Sequence, residues 1–258
     1  MTALHNDLSR QNVYDDPVFF EGYKTLRQKD SGLNGALELP AIRALLPELS
    51  HLNVLDLGSG FGDFARYARA KGAAHVTGIE LSTRMLAEAQ RLTDDPGITF
   101  QPISMEDFAA DDNIYDLVVS SLALHYVEDY TGICRKVYKA LKSGGYFIFS
   151  VEHPVCTAWP VGWITTETGE HWPLDNYHDQ SIRHTKWFIN DVIKYHRTTE
   201  NYVNTLLNSG FTLRALSEPQ PTEEALAQRP ELMKHCRRSP FLILKAQKSL
   251  SAPVLNVG

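Results

Sequence analysis

The sequence is short of residues that staple, anchor or carry positive charge. It holds three cysteines, Cys134, Cys156 and Cys236. They are odd in number and far apart, with no metal-like Cys/His spacing, so a disulfide framework is excluded and no metal site is expected. Reduced, buried thiols predict a cytoplasmic protein. No apolar run approaches the roughly 18 residues that a membrane helix needs, and residues 1–10 carry no apolar signal core. Basic residues are outnumbered, with 25 Lys and Arg against 31 Asp and Glu and a net charge of -6. Neither nucleic acid nor a membrane surface is an expected partner. What remains is an ordinary globular composition, 43% hydrophobic and 22% charged over 258 residues. That length suits one α/β domain with embellishments. Composition leaves the oligomeric state open.

Periodicity then alternates between the two regular structures. Residues 1–12 read as a loose arm. Residues 15–29 read as a helix with Val18, Phe19, Tyr23 and Leu26 near one face, Gly32 and Gly35 mark a turn, and 40–49 reads as a short helix. Compact apolar strands are predicted at 53–57, 75–80, 98–102, 115–121 and 146–151. Helices are predicted at 63–71, 83–92 and 129–141. Such β–α alternation predicts a parallel, doubly wound sheet. The pattern breaks after 151. A stretch rich in Trp, His, Pro and Gly follows, too long for an ordinary connection. Residues 184–190 and 192–198 alternate like the arms of a hairpin. A helix at 200–209 and strands at 211–218 and 241–246 follow, and a tail is expected from 248.

Two spots carry chemistry. The strand Val54-Leu55-Asp56-Leu57 runs into Gly58-Ser59-Gly60-Phe61-Gly62. In a parallel sheet, ligands bind at the carboxyl ends of strands, and glycines let the backbone approach a ligand closely. The glycine spacing departs from the G-x-G-x-x-G dinucleotide pattern. Asp56, just before the bend, is a poor neighbour for a pyrophosphate and a good one for an ammonium. Glu80, ending the second strand, can accept two hydrogen bonds from ribose hydroxyls.

These residues together resemble the class I S-adenosylmethionine-dependent methyltransferases. Residues 54–62 look like that family's first motif, and 78–82 followed by Met85-Leu86 like its second. Residues 120–127 look like its fourth-strand motif, and 141–145 like the approach to its fifth strand. The resemblance covers roughly 50–151. It implies a Rossmann-like seven-stranded sheet of order 3-2-1-4-5-7-6, strand 7 antiparallel, with helices on both faces and a cap inserted after strand 5. The domain plan is then a helical lid (1–49), a cofactor-binding core (50–151), a substrate-binding cap with a hairpin (152–198), a return to the sheet (199–247) and a tail (248–258).

The resemblance also implies roles for single residues. Gly58, Ser59 and Gly60 would line the methionine part of S-adenosylmethionine, and Asp56 would hold its ammonium. Glu80 would bind the ribose, and Leu81 would pack on the adenine. Met105 and Glu106 would flank the adenine edge, where Ser104 replaces the family's frequent Asp. Ser121, Leu122 and His125 would face the sulfonium. Tyr14 and Arg27 would close the site from the lid, with Arg27 on the cofactor carboxylate.

Methyl transfer from a sulfonium is an in-line displacement that needs alignment above all, and a base only where the nucleophile must lose a proton. His153 and, second, His196 are the candidates for a base or substrate-orienting group. Glu152, Trp159, Trp163, Trp172, Tyr177 and Arg197 are candidates for an aromatic acceptor pocket with polar handles. The acceptor is expected to be a small molecule. Two alternatives stay open at this point: a non-catalytic S-adenosylmethionine-binding regulatory module, and an NAD-dependent oxidoreductase. The fourth-strand loop lacks both the acidic residues of aminopropyl transferases and the Asn/Asp-Pro-Pro-Tyr/Phe pattern of DNA amino-methyltransferases.

Overall fold

A computed structural model of the chain describes residues 11–28, 32–109 and 111–250. Residues 1–10 of the expected arm, 251–258 of the expected tail, and Lys29 at the end of the first predicted helix lie outside the described residues. Two helices, α1 (Pro17–Gln28) and α2 (Leu39–Leu45), precede the sheet. Then β1 (Asn53–Leu57), α3 (Asp63–Ala70), β2 (His75–Ile79), α4 (Thr83–Arg91) and β3 (Ile98–Gln101) alternate. They are followed by β4 (Tyr115–Ser121), α5 (Tyr130–Ala140) and β5 (Leu141–Glu152). A short α6 (Pro154–Ala158) leads into two hairpins, β6 (Ile164–Thr166) with β7 (Gly169–His171) and β8 (Ile182–Trp187) with β9 (Ile189–Tyr195). The chain ends with α7 (Thr199–Asn208), β10 (Phe211–Ser217), α8 (Glu223–Gln228) and β11 (Phe241–Lys248).

Seven strands form one sheet in the order β10-β11-β5-β4-β1-β2-β3. The five strands from β1 to β5 run parallel. β11 enters antiparallel between β5 and β10. This is the Rossmann-like order the motifs imply, with the last strand in sequence reversed.

Period-two alternation sorts the core into two layers. Leu55, Leu57, Val118, Phe147, Phe149, Leu242 and Leu244 face Tyr130, Ile133, Val137, Tyr202 and Leu206 of α5 and α7. Val54, Val76, Leu117, Val119, Ile148 and Ile243 face Ile42, Ala65 and Ala68 of α2 and α3. Burial on both faces explains why these strands read as nearly continuous apolar runs. Side chains from the preceding residue start the helices: Ser82 accepts from Met85 N, Asp129 from Gly132 N, and Thr198 from Asn201 N. Among the described residues no helix is long and apolar enough to cross a membrane.

The structure departs from the sequence expectations at the irregular places. Where a simple turn is expected, Asn34–Glu38 forms a wide helical turn that buries Leu37 and Glu38 and runs directly into α2. Helix α2 stops at Leu45, short of the expected residue 49. The second hairpin reverses at Phe188, whose φ is 57°, and not at Asp191. The pairing of Trp187 with Ile189 turns Trp187 toward α1, where it meets Phe19 and Tyr23 edge-on at 5.2 and 5.9 Å. Local alternation cannot register that remote contact. β11 also runs to Lys248, whose Nζ donates to Asn113 Oδ1 at 2.9 Å and Leu141 O at 2.8 Å.

Phe149 is fully buried between the sheet and α5, its ring 4.8 Å from Phe147 and 5.9 Å from Tyr130. Phe149→Ala is expected to lower unfolding free energy by about 3–5 kcal/mol, because a large cavity opens in a layer that cannot collapse. Urea denaturation followed by circular dichroism measures this.

Candidate active site

The carboxyl ends of β1, β2, β4 and β5 open into one cavity of about 540 Å³. Each strand delivers its contribution as parallel topology dictates. The bend after β1 supplies Gly58, Ser59 and Gly60, and the end of β2 supplies Glu80 and Leu81. The segment after β3 supplies Ile103, Ser104, Met105 and Glu106. The loop after β4 supplies Ser121, Leu122, His125 and Tyr126, and β5 supplies Glu152. The N-terminal segment closes the opposite side with Gln11, Tyr14, Tyr23, Arg27 and Asn34, joined by Trp187 and Phe241.

The bend is built for close approach. Gly58 has φ +75°, and a Cβ there would lie 2.7 Å from the Ala123 Cβ of the β4 loop. The Gly58 and Ser59 N–H groups both donate to Ile79 O at 2.9 Å. Gly60 has φ +53° and Gly62 +74°. At Gly78, opposite the bend, a Cβ would press on Phe100 and Ser59 within 2.9 Å. The bend can hug β2 and still leave open space above it only while these positions lack side chains.

The polar groups of the cavity are unevenly satisfied. Asp56 is 2% exposed, and its Oδ2 has no hydrogen-bond partner among the described residues; neither has Ser59 Oγ. Burial, reinforced by the nearby Glu80 and Asp63 carboxylates, pushes Asp56 up to about 8. Glu80 accepts from Gly60 N at 3.0 Å and from Ser82 N at 2.9 Å. Burial raises it and those N–H groups oppose the rise. Orphaned carboxylate oxygens in a buried cavity ask for a cationic donor. A glycine-lined cradle with Asp56 below it and Glu80 beside it therefore fits a ligand with an ammonium and a ribose, and fits a pyrophosphate badly.

The remaining predicted residues separate into two groups. Arg27 donates through Nη2 to Asp63 Oδ2 at 2.7 Å and through Nη1 to Asn34 Oδ1. Ser104 Oγ is engaged with Asp107, accepting from its N and donating to its Oδ2, both at 3.0 Å. His125 is buried and neutral, pushed down to about 4 by desolvation. Its Nδ1 accepts from Glu152 N at 3.4 Å. Glu152 accepts from Lys194 Nζ at 2.6 Å. Burial alone would raise Glu152, but the Lys194 ammonium holds it below the ordinary carboxylate range.

His153, His196, Trp159, Trp163, Trp172, Tyr177 and Arg197 do not line this cavity. His153 accepts from Val155 N at 3.2 Å, and its Nε2 faces Glu218 Oε1 at 2.7 Å. His196 has Nδ1 2.6 Å from Thr157 Oγ1 and Nε2 2.9 Å from Tyr177 O. With both ring nitrogens engaged, each histidine ties the segment after β5 to its surroundings and has no nitrogen left for a substrate. Trp163 and Trp172 pack edge-on at 5.6 Å beside Arg238, which stacks on Trp172 at 3.6 Å. Trp159 donates to Gly162 O at 3.1 Å. Tyr177 Oη accepts from Thr199 N at 3.0 Å and so caps α7. Arg197 donates to Val127 O and Glu128 O, both at 2.6 Å. The structure thus does not bring the first-choice base or most of the expected aromatic pocket to this cavity. The reason is that the insertion folds back on the C-terminal segment and α7. Sequence reasoning gave no sign of Phe241, which lines the cavity, or of Glu38 and Lys194, which bond to the lining residues Ser121 and Glu152; all three arrive by long-range packing and leave no local motif.

Comparison with known proteins agrees with this geometry. A methyltransferase-domain family matches residues 55–149. The solved structure of an S-adenosylmethionine-dependent methyltransferase from Mesorhizobium loti shares 42% identity with this chain. It covers 84% of this chain and 100% of its own, at TM-score 0.80. A proposed S-adenosylmethionine-dependent methyltransferase from Listeria monocytogenes shares 45% identity over 81% of this chain and 95% of its own, at TM-score 0.77. An uncharacterised protein of Haemophilus influenzae is 32% identical over 95% of this chain and 99% of its own length. The chain belongs to the class I S-adenosylmethionine-dependent methyltransferases. It is an enzyme of that class with S-adenosylmethionine as its cofactor, and the dinucleotide reading is set aside.

The raised Asp56 has a signed consequence. A carboxyl group lifted in the folded state stabilises the ligand-free protein most at low pH and loses that contribution as pH rises through about 8. The melting temperature of ligand-free Asp56→Asn is therefore expected to gain on wild type as pH is raised from about 5 to about 9. Cofactor affinity of the same variant falls at least about tenfold, from loss of a charge-assisted contact. Differential scanning fluorimetry and titration calorimetry read the two effects.

Proposed function

We propose that this enzyme transfers a methyl group to a small-molecule acceptor bound at the Glu152 end of the cavity. The observation that carries the reading is the sheet order, which sets Glu152 at the end of β5 apart from Asp56 on β1 and Glu80 after β2, with β4 between them. The β1 and β2 side holds the orphaned Asp56 oxygen, the glycine bend and Glu80. The β5 side holds Glu152. S-adenosylmethionine supplies an activated methyl group on a sulfonium with a neutral thioether as leaving group.

In this reading Asp56, Gly58, Ser59 and Gly60 hold the amino-acid part of the cofactor, and Glu80 binds the ribose. Leu81, Ser104, Met105 and Glu106 enclose the adenine. Tyr14 and Arg27 close the site from the N-terminal side. Ser121, Leu122 and His125 border the reacting carbon. Glu152 orients the acceptor: Lys194 occupies Oε1, while Oε2 has no hydrogen-bond partner among the described residues. A carboxylate oxygen only accepts, so it suits a nucleophile that bears a proton, an N–H or O–H. As the new bond to carbon forms, that proton passes to Glu152 or to water. An acceptor that reacts as a preformed anion would be repelled. Roofing by Tyr14, Tyr23 and Trp187 supports a free small molecule over a macromolecular side chain, and the acidic charge balance argues against nucleic acid.

Two measurements test this. Glu80→Ala is expected to weaken cofactor binding by at least about 1.5 kcal/mol in titration calorimetry, from loss of a charge-assisted contact; unchanged affinity refutes the ribose role. A screen with methyl-labelled cofactor is expected to label amines or hydroxyl compounds. Glu152→Gln should lower that turnover at least about tenfold while leaving cofactor affinity within about twofold. Tight cofactor binding with no labelling of any small amine or hydroxyl compound would overturn the small-molecule acceptor.

A further inference from the structure

Glu38 is fully buried at the end of the wide turn before α2, and neither the methyl-transfer chemistry nor the motifs account for it. Its Oε1 accepts from Ser121 Oγ at 2.9 Å and from Ser150 Oγ at 2.6 Å. Its Oε2 accepts from Asn34 Nδ2 at 2.8 Å. Ser150 Oγ in turn accepts from Leu122 N at 3.0 Å. Leu122 lines the cavity in the left-handed region, at φ 52°. On the other side Asn34 Oδ1 accepts from Arg27 Nη1, and Arg27 pairs with Asp63.

The polarity of this chain is forced at both ends. A guanidinium can only donate, so Asn34 must present its NH₂ to Glu38. A backbone N–H can only donate, so Ser150 receives it and turns its own O–H to Glu38. Every donor thus points inward on one carboxylate. Burial raises Glu38, and the two serine hydroxyls and nearby Arg27 oppose the rise. An ionised Glu38 satisfies the whole set, whereas a protonated or amide side chain brings a donor that must either face the Asn34 NH₂ or turn to the serines and leave their hydroxyl protons without this acceptor.

We propose that Glu38 is a positioning residue for cofactor binding. It ties the Arg27 side of the cavity to the Leu122 loop and sets the spacing of the two walls between which the cofactor sits. The inference rests on the cofactor placement proposed above.

The test is S-adenosylhomocysteine affinity by titration calorimetry on the full chain. Glu38→Gln either turns its NH₂ against Asn34 or, flipped, leaves the two serine hydroxyl protons without their acceptor, and is expected to weaken binding about tenfold. The double variant Asn34→Asp/Glu38→Gln exchanges carboxylate and amide across that contact. The carboxylate introduced at position 34 then accepts from Arg27 and from the amide introduced at position 38. The carbonyl oxygen of that amide accepts from both serines. Recovery to within about threefold of wild type is expected, which a general loss of stability would not produce. Wild-type affinity in Glu38→Gln, or no recovery in a folded double variant, overturns the proposal. Should Glu38→Gln fail to give a cooperative melt, Ser150→Ala removes one donor to Glu38 and the side-chain link to Leu122 N, while the Leu122 N bond to Ser150 O stays. It is expected to weaken binding at least about threefold, and unchanged affinity overturns the proposal equally. If wild type itself does not bind S-adenosylhomocysteine, the cofactor placement fails and not this coupling.

Discussion

The structure depends on how closely two loops approach at the carboxyl end of the sheet. At Gly58 the β1 bend passes so near Ala123 that a methyl group would overlap it, and at Gly78 the neighbouring strand leaves equally little room. Parallel strands bring these loops side by side, and only bare backbone lets them stay there. The cavity, the isolation of Asp56 from water and the exposure of Glu80 to a ligand all follow from that tight seam. Because the bend has no side chains to spare, specificity rests on the few polar groups around it.

Those polar groups show how the protein handles buried charge. Asp56 keeps an unpartnered oxygen. Glu152 is balanced by Lys194, and Glu38 is balanced by three inward-pointing donors. Leaving a buried carboxylate unpaired costs stability. Asp56 Oδ2 and Ser59 Oγ, side by side at the glycine bend, are the cavity-lining polar atoms left buried without a partner among the described residues.

Legibility in the sequence followed the range of the interactions. The order of the parallel core could be read because β1 and β4 are apolar on both faces, although β5 begins at Leu141 and not at the expected Tyr146. The residues expected for the cofactor all line one cavity because consecutive loops contribute them. The residues expected for the acceptor, Glu152 apart, do not. His153 and His196 are chemically capable residues in a promising stretch, yet their ring nitrogens are spent on Glu218, Val155, Thr157 and Tyr177. Lys194 looks like one more solvent-facing charge on a hairpin until β9 is seen to lie beside Glu152. Glu38 follows a glycine-punctuated turn that promised only a loop. Each of these depends on partners tens to more than a hundred residues away.

The N-terminal segment is stitched to β9 by Gln11, whose side-chain amide both donates to Ile193 O at 3.1 Å and accepts from Ile193 N at 2.7 Å. One side chain thereby imitates a neighbouring strand. Two such contacts contribute only about 1 kcal/mol each, so the seam is specific in register and cheap to undo. Gln11 also lines the cavity that the glycine bend opens into, so the side chain that fixes the N-terminal segment against β9 is itself part of the cavity wall.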